Sequence, residues 1–404
     1  MKPEPCRMLV EQLHSWLHRK TISSSIRRIA TLPIALATDI GLSRDENQDR
    51  VAVMKYRSLN RSHDTVVIAL ADGMGGMVGG ANAASLTISS FFSSMIENAH
   101  VDLSERLVDA VQSATNAVYK HYQGEGGATL SAVVIEDGDS ITGVNVGDSR
   151  IYDIFNGSIN QISEDDTVAA LAQKYNEKKL ELDGRFNHEL VQFIGLDGVL
   201  EPHFYMIQPE KFKTVILTSD GAHTIGNDNI IRLMTHSNNI GVFVKRTIDL
   251  ANWFGGGDNS SIAAIDLSYF NKGNTGSQNG VINIWDPYGE LQVVNVFSDD
   301  SQDVPLTESN MPEVLKGGSE EACEKPKDLI GDICESSEPK ELSEQLDMEK
   351  GTHLTKNNSD VMEGKKGARF KGKRQATTPA VKDNKKNKVQ LDISFLDKND
   401  GKSK

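Results

Sequence analysis

Apolar and polar positions between residues 34 and 270 alternate in the two periods that strands and helices require. Short apolar or alternating runs, bounded by polar residues and glycine, predict strands at 34–41, 50–56, 65–73, 128–136, 140–146, 149–155, 158–163, 213–220 and 260–267. Apolar residues at helical spacing predict helices at 81–97, 101–122, 167–175, 229–234 and 242–254. This mixture predicts an α+β domain containing antiparallel sheets.

The first 33 residues form an N-terminal extension with its own helical pattern. Within residues 8–17 an apolar stripe is formed by Met8, Leu9, Leu13, Trp16 and Leu17. The stripe predicts a short amphipathic helix docked on the main domain, and binding to a membrane surface or a partner is the alternative.

The chain changes character after the predicted domain of residues 34–270. Residues 271–300 read as a linker in which two strand-like pieces flank the turn sequence Asp-Pro-Tyr-Gly at 286–289. We expect a hairpin there, either completing the domain or attached to its edge. Residues 301–404 lose all periodicity and are predicted to be a disordered tail, acidic to about residue 350 and basic from 365 to 388.

Charge and cysteine content narrow the possible functions. The 404 residues carry a formal net charge of −14, which argues against a general nucleic-acid binder and leaves the basic tail as the only candidate for such contact. The three cysteines, Cys6, Cys323 and Cys334, are too scattered for a disulfide framework. Since neither a signal peptide nor a membrane-spanning run is recognisable, we expect a cytoplasmic protein without a membrane partner.

Aspartates at the ends of predicted strands are the candidate chemical groups. Asp72, Asp148 and Asp220 each follow a strand, and Asp258 precedes one. A single Asp-Gly pair is more often a turn than a ligand. Several carboxylates converging on one place would repel each other unless cations lay between them, and Mg2+ and Mn2+ prefer such oxygen ligands.

Five short blocks then resemble a known family. They read GLSRDENQD at 41–49, DGMGG at 72–76, GDSR at 147–150, TSDG at 218–221 and DN at 258–259. In this order and spacing they resemble the type 2C metal-dependent serine/threonine protein phosphatases (the PPM family) in their bacterial form. The resemblance implies a central β-sandwich of two antiparallel sheets flanked by helices on both faces, with two Mn2+ or Mg2+ ions at one end.

The resemblance also implies roles for individual residues. Asp72 would bridge the two metals, and the Gly73 carbonyl would bind the first. Asp220 and Asp258 would hold the second, while Asp49 would act through a metal-bound water.

Two further matches complete the implied site. Asp148 matches the position that, with Asp220, helps to hold a third and weaker metal, and Arg44 matches the arginine that grips the substrate phosphate through its planar fork. The implied reaction is hydrolysis of phosphoserine or phosphothreonine by direct attack of a metal-bridging hydroxide, without a phosphoenzyme. The implied partners are phosphoprotein substrates, a serine/threonine kinase and its targets.

The chain departs from the family pattern in two places. Met74 stands where animal and plant members carry a histidine proposed as the general acid; bacterial members commonly share the methionine, and a metal-bound water is the candidate acid here. The segment 163–195 resembles the family's mobile flap, but it reads Asp165-Asp166-Thr167 where relatives usually read Asp-His-Ser. The flap contacts of relatives therefore cannot be transferred.

Other functional classes fit the sequence less well. The glycine-rich run at 72–80 lacks the Gly-Lys-Ser/Thr ending of a phosphate-binding loop. The histidines, among them His203 and His223, lack the spacing of a zinc site, and Ser219 lacks the context of a nucleophilic serine. The remaining alternative is a catalytically silent phosphatase-like module that binds a phosphoprotein or a kinase.

Overall fold

A computed structural model describes residues 4–57, 64–74, 77, 79–136, 140–174, 189–208, 213–270 and 280–294. All the helices and strands below belong to one compact unit, Met1–Asn310. The second unit, Met311–Lys404, and the rest of the predicted tail at 301–404 lie outside the described residues.

Helices and strands follow one another in an order that matches most of the sequence predictions. The helices are α1 (Glu4–Leu17), α2 (Gly80–Glu97), α3 (Leu103–Tyr122), α4 (Val168–Lys174), α5 (Asp220–His223), α6 (Asn227–Thr235) and α7 (Ile240–Trp253), with a 3-10 turn at Leu267–Tyr269. The strands are β1 (Ser24–Arg28), β2 (Ile34–Asp39), β3 (Asp49–Arg57), β4 (Asp64–Asp72), β5 (Leu130–Glu136), β6 (Ser140–Val146), β7 (Arg150–Phe155), β8 (Ser158–Gln161), β9 (His203–Ile207), β10 (Thr214–Thr218), β11 (Ser260–Asp266), β12 (Val281–Trp285) and β13 (Glu290–Val294).

These strands form two antiparallel sheets. The first sheet has the order β1-β2-β11-β10-β7-β8, and the second has the order β13-β12-β3-β4-β5-β6-β9. Neighbouring strands within both sheets are antiparallel throughout. The predicted α+β fold with two antiparallel sheets is therefore confirmed.

Three apolar layers hold the sheets and helices together. The middle layer lies between the two sheets and is rich in β-branched and leucine side chains such as Ile34, Leu36, Ile68 and Leu217. A second layer packs α1, α2 and α3 on the outer face of the β3–β6 region, and a third packs α6 and α7 on the outer face of the first sheet. The central strands of each sheet are buried on both faces, which explains why they read as nearly continuous apolar runs.

The N-terminal helix docks on the main body as predicted. Leu9, Leu13 and Leu17 are buried in the same core as α2, whereas Met8 is 56% exposed, so the predicted stripe was one residue too wide. The strands β1 and β9 were not predicted, because SSIRR contains a single apolar residue and HFYMI shows no alternation of apolar and polar positions.

The predicted hairpin is present and extends the second sheet. Its strands β12 and β13 pair with each other, and β12 also pairs with β3. Within the described part of the chain, none of the helices has the length and hydropathy needed to cross a bilayer.

Candidate metal centre

Asp49 and Asp72 are neighbours across two paired strands. Asp49 begins β3 and Asp72 ends β4, and the antiparallel register places these two residues directly opposite each other. Opposed residues in such a pair have Cα atoms about 4.5–5.5 Å apart. The two carboxylates, separated by 23 positions in the sequence, therefore lie at one edge of the second sheet.

Asp148 is brought to the same edge by the turn between β6 and β7. A pair of buried hydroxyls connects this turn to Asp72: Thr129 Oγ1 accepts from the Asp72 amide at 2.9 Å and lies 2.7 Å from Ser149 Oγ. The strand end that carries Asp72 and the turn that carries Asp148 are thus held together by a polar contact in the core.

Asp220 and Asp258 come from the first sheet. Asp220 follows β10 and opens the short helix α5, while Asp258 precedes β11, which pairs with β10. The two segments approach so closely that a Cβ on Gly221 would lie 2.0 Å from the Asn259 carbonyl oxygen. Only glycine fits at this position, which explains the Asp-Gly sequence after the strand.

A similar close approach shapes the loop after Asp72. A Cβ on Gly73 would lie 2.2 Å from the Gly80 carbonyl oxygen, where α2 begins. The glycine therefore lets the backbone return to the start of α2, and this leaves the segment that follows Asp72 tightly folded at the edge of the sheet.

Electrostatic effects show that these carboxylates converge. Burial raises the pKa of Asp49 to about 7, and the charges of Asp220 and Asp258 act in the same direction, against a hydrogen bond from Ser219. Burial also raises the pKa of Asp72 well above its ordinary value, with further contributions from Asp49, Asp220, Asp148 and Asp258. Five acidic groups from separate segments thus repel each other at one end of the sandwich.

Asp148 experiences the same environment. Burial raises its pKa to about 7, and the charges of Asp220 and Asp165 add to the effect. Asp72 therefore lies within electrostatic reach of the other four aspartates that were predicted as metal ligands. Buried carboxylates that destabilise each other in this way are stabilised when cations lie between them.

The donor atoms fit a divalent metal that keeps water in its coordination sphere. Asp49 is 2% exposed, and its Oδ1 atom is a buried acceptor without a hydrogen-bond partner. Among the described residues, no three Asp, Glu, His or Cys side chains enclose a single point tightly enough to hold an ion unaided. Hard cations that take only a few carboxylates each, and complete their coordination with water, suit such an arrangement.

Arg44 lies beside the carboxylates, as predicted for a phosphate-binding residue. Its Nη2 atom is 2.7 Å from Asp258 Oδ2, and its side chain is 38% exposed. The hydrogen bond with Asp258 raises the pKa of Arg44, and the charges of Asp220 and Asp72 add to the increase. The guanidinium is therefore next to the acidic cluster and still accessible from solvent.

A buried polar network that was not predicted holds Asp49 in place. Ser219 Oγ donates to Asp49 Oδ2 at 2.7 Å and accepts from the Ser261 amide at 2.9 Å. Asn47 Oδ1 accepts from the Asp49 amide, and Asn47 Nδ2 donates to Thr38 Oγ1. Ser219 has no exposed surface, which agrees with the expectation that it is not a nucleophile.

The described parts of the predicted flap, 163–174 and 189–195, border an open cleft of about 1270 Å³ that also reaches Asp148, Asp220 and Asp258. Arg150 makes a two-pronged ion pair with Asp165, at 3.0 and 2.7 Å. The centre of the flap segment, 175–188, lies outside the described residues.

Asp166 is anchored from three directions. It accepts from the Gly147 amide and from Gln192 Nε2, and His203 Nε2 lies 2.9 Å from its Oδ1 atom. His203, from β9, therefore places an imidazole directly beside Asp166. Sequence spacing could not reveal this pair, because 37 positions separate the two residues.

Met74 occupies the start of the loop after the Asp72–Gly73 pair. Its amide donates to the Gly127 carbonyl at 3.1 Å, and its sulfur lies near the position that a Cβ on Gly127 would occupy. The thioether therefore packs against the segment that contains Gly127, and it has no proton to donate to a leaving group.

Comparison with known proteins identifies a family and several relatives. The family described as Protein phosphatase 2C matches residues 43–253, and Asp258 lies just beyond the match. The serine/threonine protein phosphatase PstP of Mycobacterium tuberculosis is 28% identical over 250 residues, which cover 60% of this chain and 46% of PstP. The serine/threonine phosphatase stp of Listeria welshimeri is 25% identical over 258 residues, covering 59% of this chain and 98% of stp.

A solved structure extends the similarity to the fold. The S. agalactiae serine/threonine phosphatase is 27% identical, superposes with a TM-score of 0.52, and is matched over 98% of its length and 58% of this chain. The family match covers more than half of the 404 residues, and it includes three of the five sequence blocks in full and residues 43–49 of the first. The chain therefore belongs to the protein phosphatase 2C family of serine/threonine phosphatases, in its bacterial form, as those blocks predicted.

Proposed function

We propose that this chain hydrolyses phosphoserine and phosphothreonine in proteins at a centre of two divalent metal ions. Family membership makes it a protein-serine/threonine phosphatase. The metal-dependent mechanism is supported by one observation above all: the charges of Asp220 and Asp258, from the first sheet, contribute to the raised pKa values of Asp49 and Asp72 at the edge of the second sheet.

The residues that would hold the metals are the five aspartates and one carbonyl. Asp49, Asp72, the Gly73 carbonyl, Asp220 and Asp258 would hold two ions of Mn2+ or Mg2+. Bound there, the ions would supply the charge and the acidity that make water a nucleophile near neutral pH.

A third ion is part of the same proposal. Asp148 would hold it together with Asp220, more weakly than the other two are held. This role is supported by the charge of Asp220, which contributes to the raised pKa of Asp148.

The chain's own side chains bind and orient the substrate. Arg44 would take the phosphate in its two-pronged fork, since its guanidinium lies beside Asp258 and is partly exposed. Asn47 and Ser219 would fix the orientation of Asp49 through the hydrogen bonds described above. Because Ser219 is fully buried, we expect water rather than this side chain to attack phosphorus, so no phosphoenzyme forms.

A silent phosphatase-like module remains the competing function. Such a module would be expected to lose ligands first, and this chain keeps Asp49, Asp72, Asp220 and Asp258. We therefore favour the enzyme. A kinase partner, a role in bacterial signalling and a cytoplasmic location stay predictions from the sequence.

The domain organisation is also a proposal. We take residues 34–270 as the catalytic domain, to which the segment 1–33 adds α1 and β1. The segment 271–300 would add the hairpin.

The function can be tested with a panel of phosphoserine, phosphothreonine and phosphotyrosine peptides, assayed with Mn2+ and with EDTA. We expect hydrolysis of the first two classes that requires metal and is lost in Asp220→Asn and Asp258→Asn. Asp249→Asn, an exposed aspartate on α7, is the matched control and should keep wild-type rates. Hydrolysis that is indifferent to EDTA, or no hydrolysis with Mn2+ in the folded protein, would contradict the proposal.

A further inference from the structure

Two segments outside the matched family region meet behind the metal centre. Arg19, just after α1, pairs with Asp286 in the hairpin turn at 2.8 and 2.9 Å, and its guanidinium stacks on Trp16 at 4.1 Å. Ser25 Oγ donates to the Pro287 carbonyl at 2.6 Å. The N-terminal segment and the hairpin are thus joined by directional contacts, although more than 260 positions separate them.

Arg50 connects this assembly to the metal site. The residue directly follows Asp49, and its Nε atom donates to the carbonyl of Leu17, the last residue of α1, at 2.8 Å and to Ser85 Oγ of α2 at 3.0 Å. Its Nη1 atom donates to the carbonyls of Asn47 and Asp49, at 2.8 and 2.7 Å. One guanidinium therefore joins the end of α1 to the backbone on both sides of Gln48.

This backbone segment includes Asp49, the proposed metal ligand whose Oδ1 atom has no hydrogen-bond partner among the described residues. Asn47 Oδ1 accepts from the Asp49 amide at 3.0 Å, so the two residues whose carbonyls Arg50 holds are also bound to each other. A displacement of the Leu17 carbonyl would therefore be transmitted to the Asp49 backbone through the side chain of Arg50.

A second set of hydrogen bonds connects α1 to the loop before α2. His14 Nε2 donates to Asn82 Oδ1 at 2.7 Å, Asn82 Nδ2 donates to the Tyr122 hydroxyl at 2.6 Å, and that hydroxyl donates to the Gly79 carbonyl at 3.2 Å. Gly79 precedes Gly80, whose carbonyl leaves no room for a side chain at Gly73. The segment that carries Asp49 and the loop that follows Asp72 and Gly73 are therefore both supported by one helix.

We propose that a supporting assembly, the buttress, positions the metal ligands. It consists of α1, Arg19, Arg50 and the turn at 286–289 of the β12–β13 hairpin. Within it, Arg50 is the positioning residue that connects the end of α1 to Asp49. This positioning role presupposes the proposed metal centre and adds the residues that orient its ligands. Residues that orient ligands from behind commonly change metal affinity by about 10- to 100-fold when they are replaced.

The test uses the full chain and measures Mn2+ binding by isothermal titration calorimetry, so that no turnover is required. Arg50→Gln removes the fork, and Arg19→Gln breaks the contact between the two segments at a distance from the ligands. Arg7→Gln is the matched control, because Arg7 lies on α1 in an exposed pair with Glu11.

We expect the Mn2+ dissociation constant of Arg50→Gln to rise about 10- to 100-fold, that of Arg19→Gln to rise less, and that of Arg7→Gln to equal the wild-type value. The metal concentration that half-saturates hydrolysis of a small phosphoester should shift in parallel. Thermal melting in EDTA distinguishes positioning from simple support of the fold, since a fold effect alone lowers the melting temperature without changing the dissociation constant.

Unchanged Mn2+ affinity in both variants would overturn the buttress, whatever happens to their melting temperatures. If Arg50→Gln does not fold, Arg19→Gln decides alone, and wild-type affinity in that variant overturns it. If the wild-type chain binds no Mn2+, the proposed metal centre itself is wrong. This outcome is distinguishable from failure of the buttress, in which the wild type binds Mn2+ and the variants bind it equally well.

Discussion

Replacing Asp49 with asparagine should stabilise the protein in the absence of metal and remove much of the stabilisation that metal provides. The side chain is 2% exposed, and its Oδ1 atom has no hydrogen-bond partner. Burial, together with the charges of Asp220 and Asp258, raises its pKa from 3.8 to about 7, although Ser219 donates to it. Asparagine has nearly the same shape, can still accept from Ser219 and carries no charge.

The sign of the effect follows from proton linkage. The unfolded chain releases this proton near pH 3.8, whereas the folded metal-free protein keeps it until about pH 7. The contribution of Asp49 to stability is therefore neutral below pH 3.8, becomes increasingly unfavourable as the pH rises to about 7, and stays unfavourable above that. At about 1.4 kcal/mol per pKa unit, the full penalty at pH 8 is about 4 kcal/mol.

Neighbouring carboxylates share protons with Asp49, so we expect Asp49→Asn to gain about 2–4 kcal/mol at pH 8 in EDTA. Urea unfolding followed by circular dichroism measures this difference, which should shrink at pH 5. Saturating Mn2+ at 100 times its dissociation constant should stabilise the wild type by about 2.7 kcal/mol for each bound ion and the variant by less. A variant that is less stable than the wild type in EDTA at pH 8, or a difference that does not depend on pH, would refute the reasoning.

Three further variants test other parts of the site. Arg44→Lys keeps the charge but loses the two-pronged fork, so we expect KM for a phosphopeptide to rise about tenfold with melting temperature unchanged; an unchanged KM would remove Arg44 from phosphate binding. Gly221→Ala places a Cβ 2.0 Å from the Asn259 carbonyl oxygen and should lower stability by about 1–3 kcal/mol in urea unfolding, and wild-type stability would show that the two segments can separate freely. Asp166→Ala leaves the Gly147 amide without its acceptor and should cost about 2–4 kcal/mol; a loss below about 0.5 kcal/mol would contradict the proposed anchor.

The metal-ligand candidates could be predicted because their signals are local. Asp72, Asp148 and Asp220 each combine a strand end with small residues, so a few positions carry both the backbone geometry and the chemistry. The antiparallel pairing of β3 with β4 then brings Asp49 opposite Asp72 without further information. Strand ends at one edge of a sheet converge whenever the register is right.

The supporting residues could not be predicted, because their roles depend on contacts between distant parts of the chain. Arg50 is an ordinary strand arginine in the sequence, and only the fold brings the Leu17 carbonyl to it. The pair formed by Asp166 and His203 was hidden in the same way, since β9 gives no clear strand signal.

Helix boundaries show a related limit. The helix α7 begins at Ile240, two residues before the predicted start, because Asn239 Oδ1 accepts from the Val242 amide and caps the first turn. Apolar periodicity reports the face that a helix buries, whereas a cap is a single polar residue outside that pattern. Boundaries are therefore less predictable than the existence of the helix.

Diffraction from crystals of the full chain soaked in Mn2+, collected where manganese scatters anomalously, tests the central claim most directly. We expect two strong anomalous peaks at the edge of the sandwich, within coordination distance of Asp72 and of Asp220 and Asp258, and their loss in Asp72→Asn. Soaked crystals without peaks at these carboxylates, or with peaks that persist unchanged in Asp72→Asn, would contradict that claim.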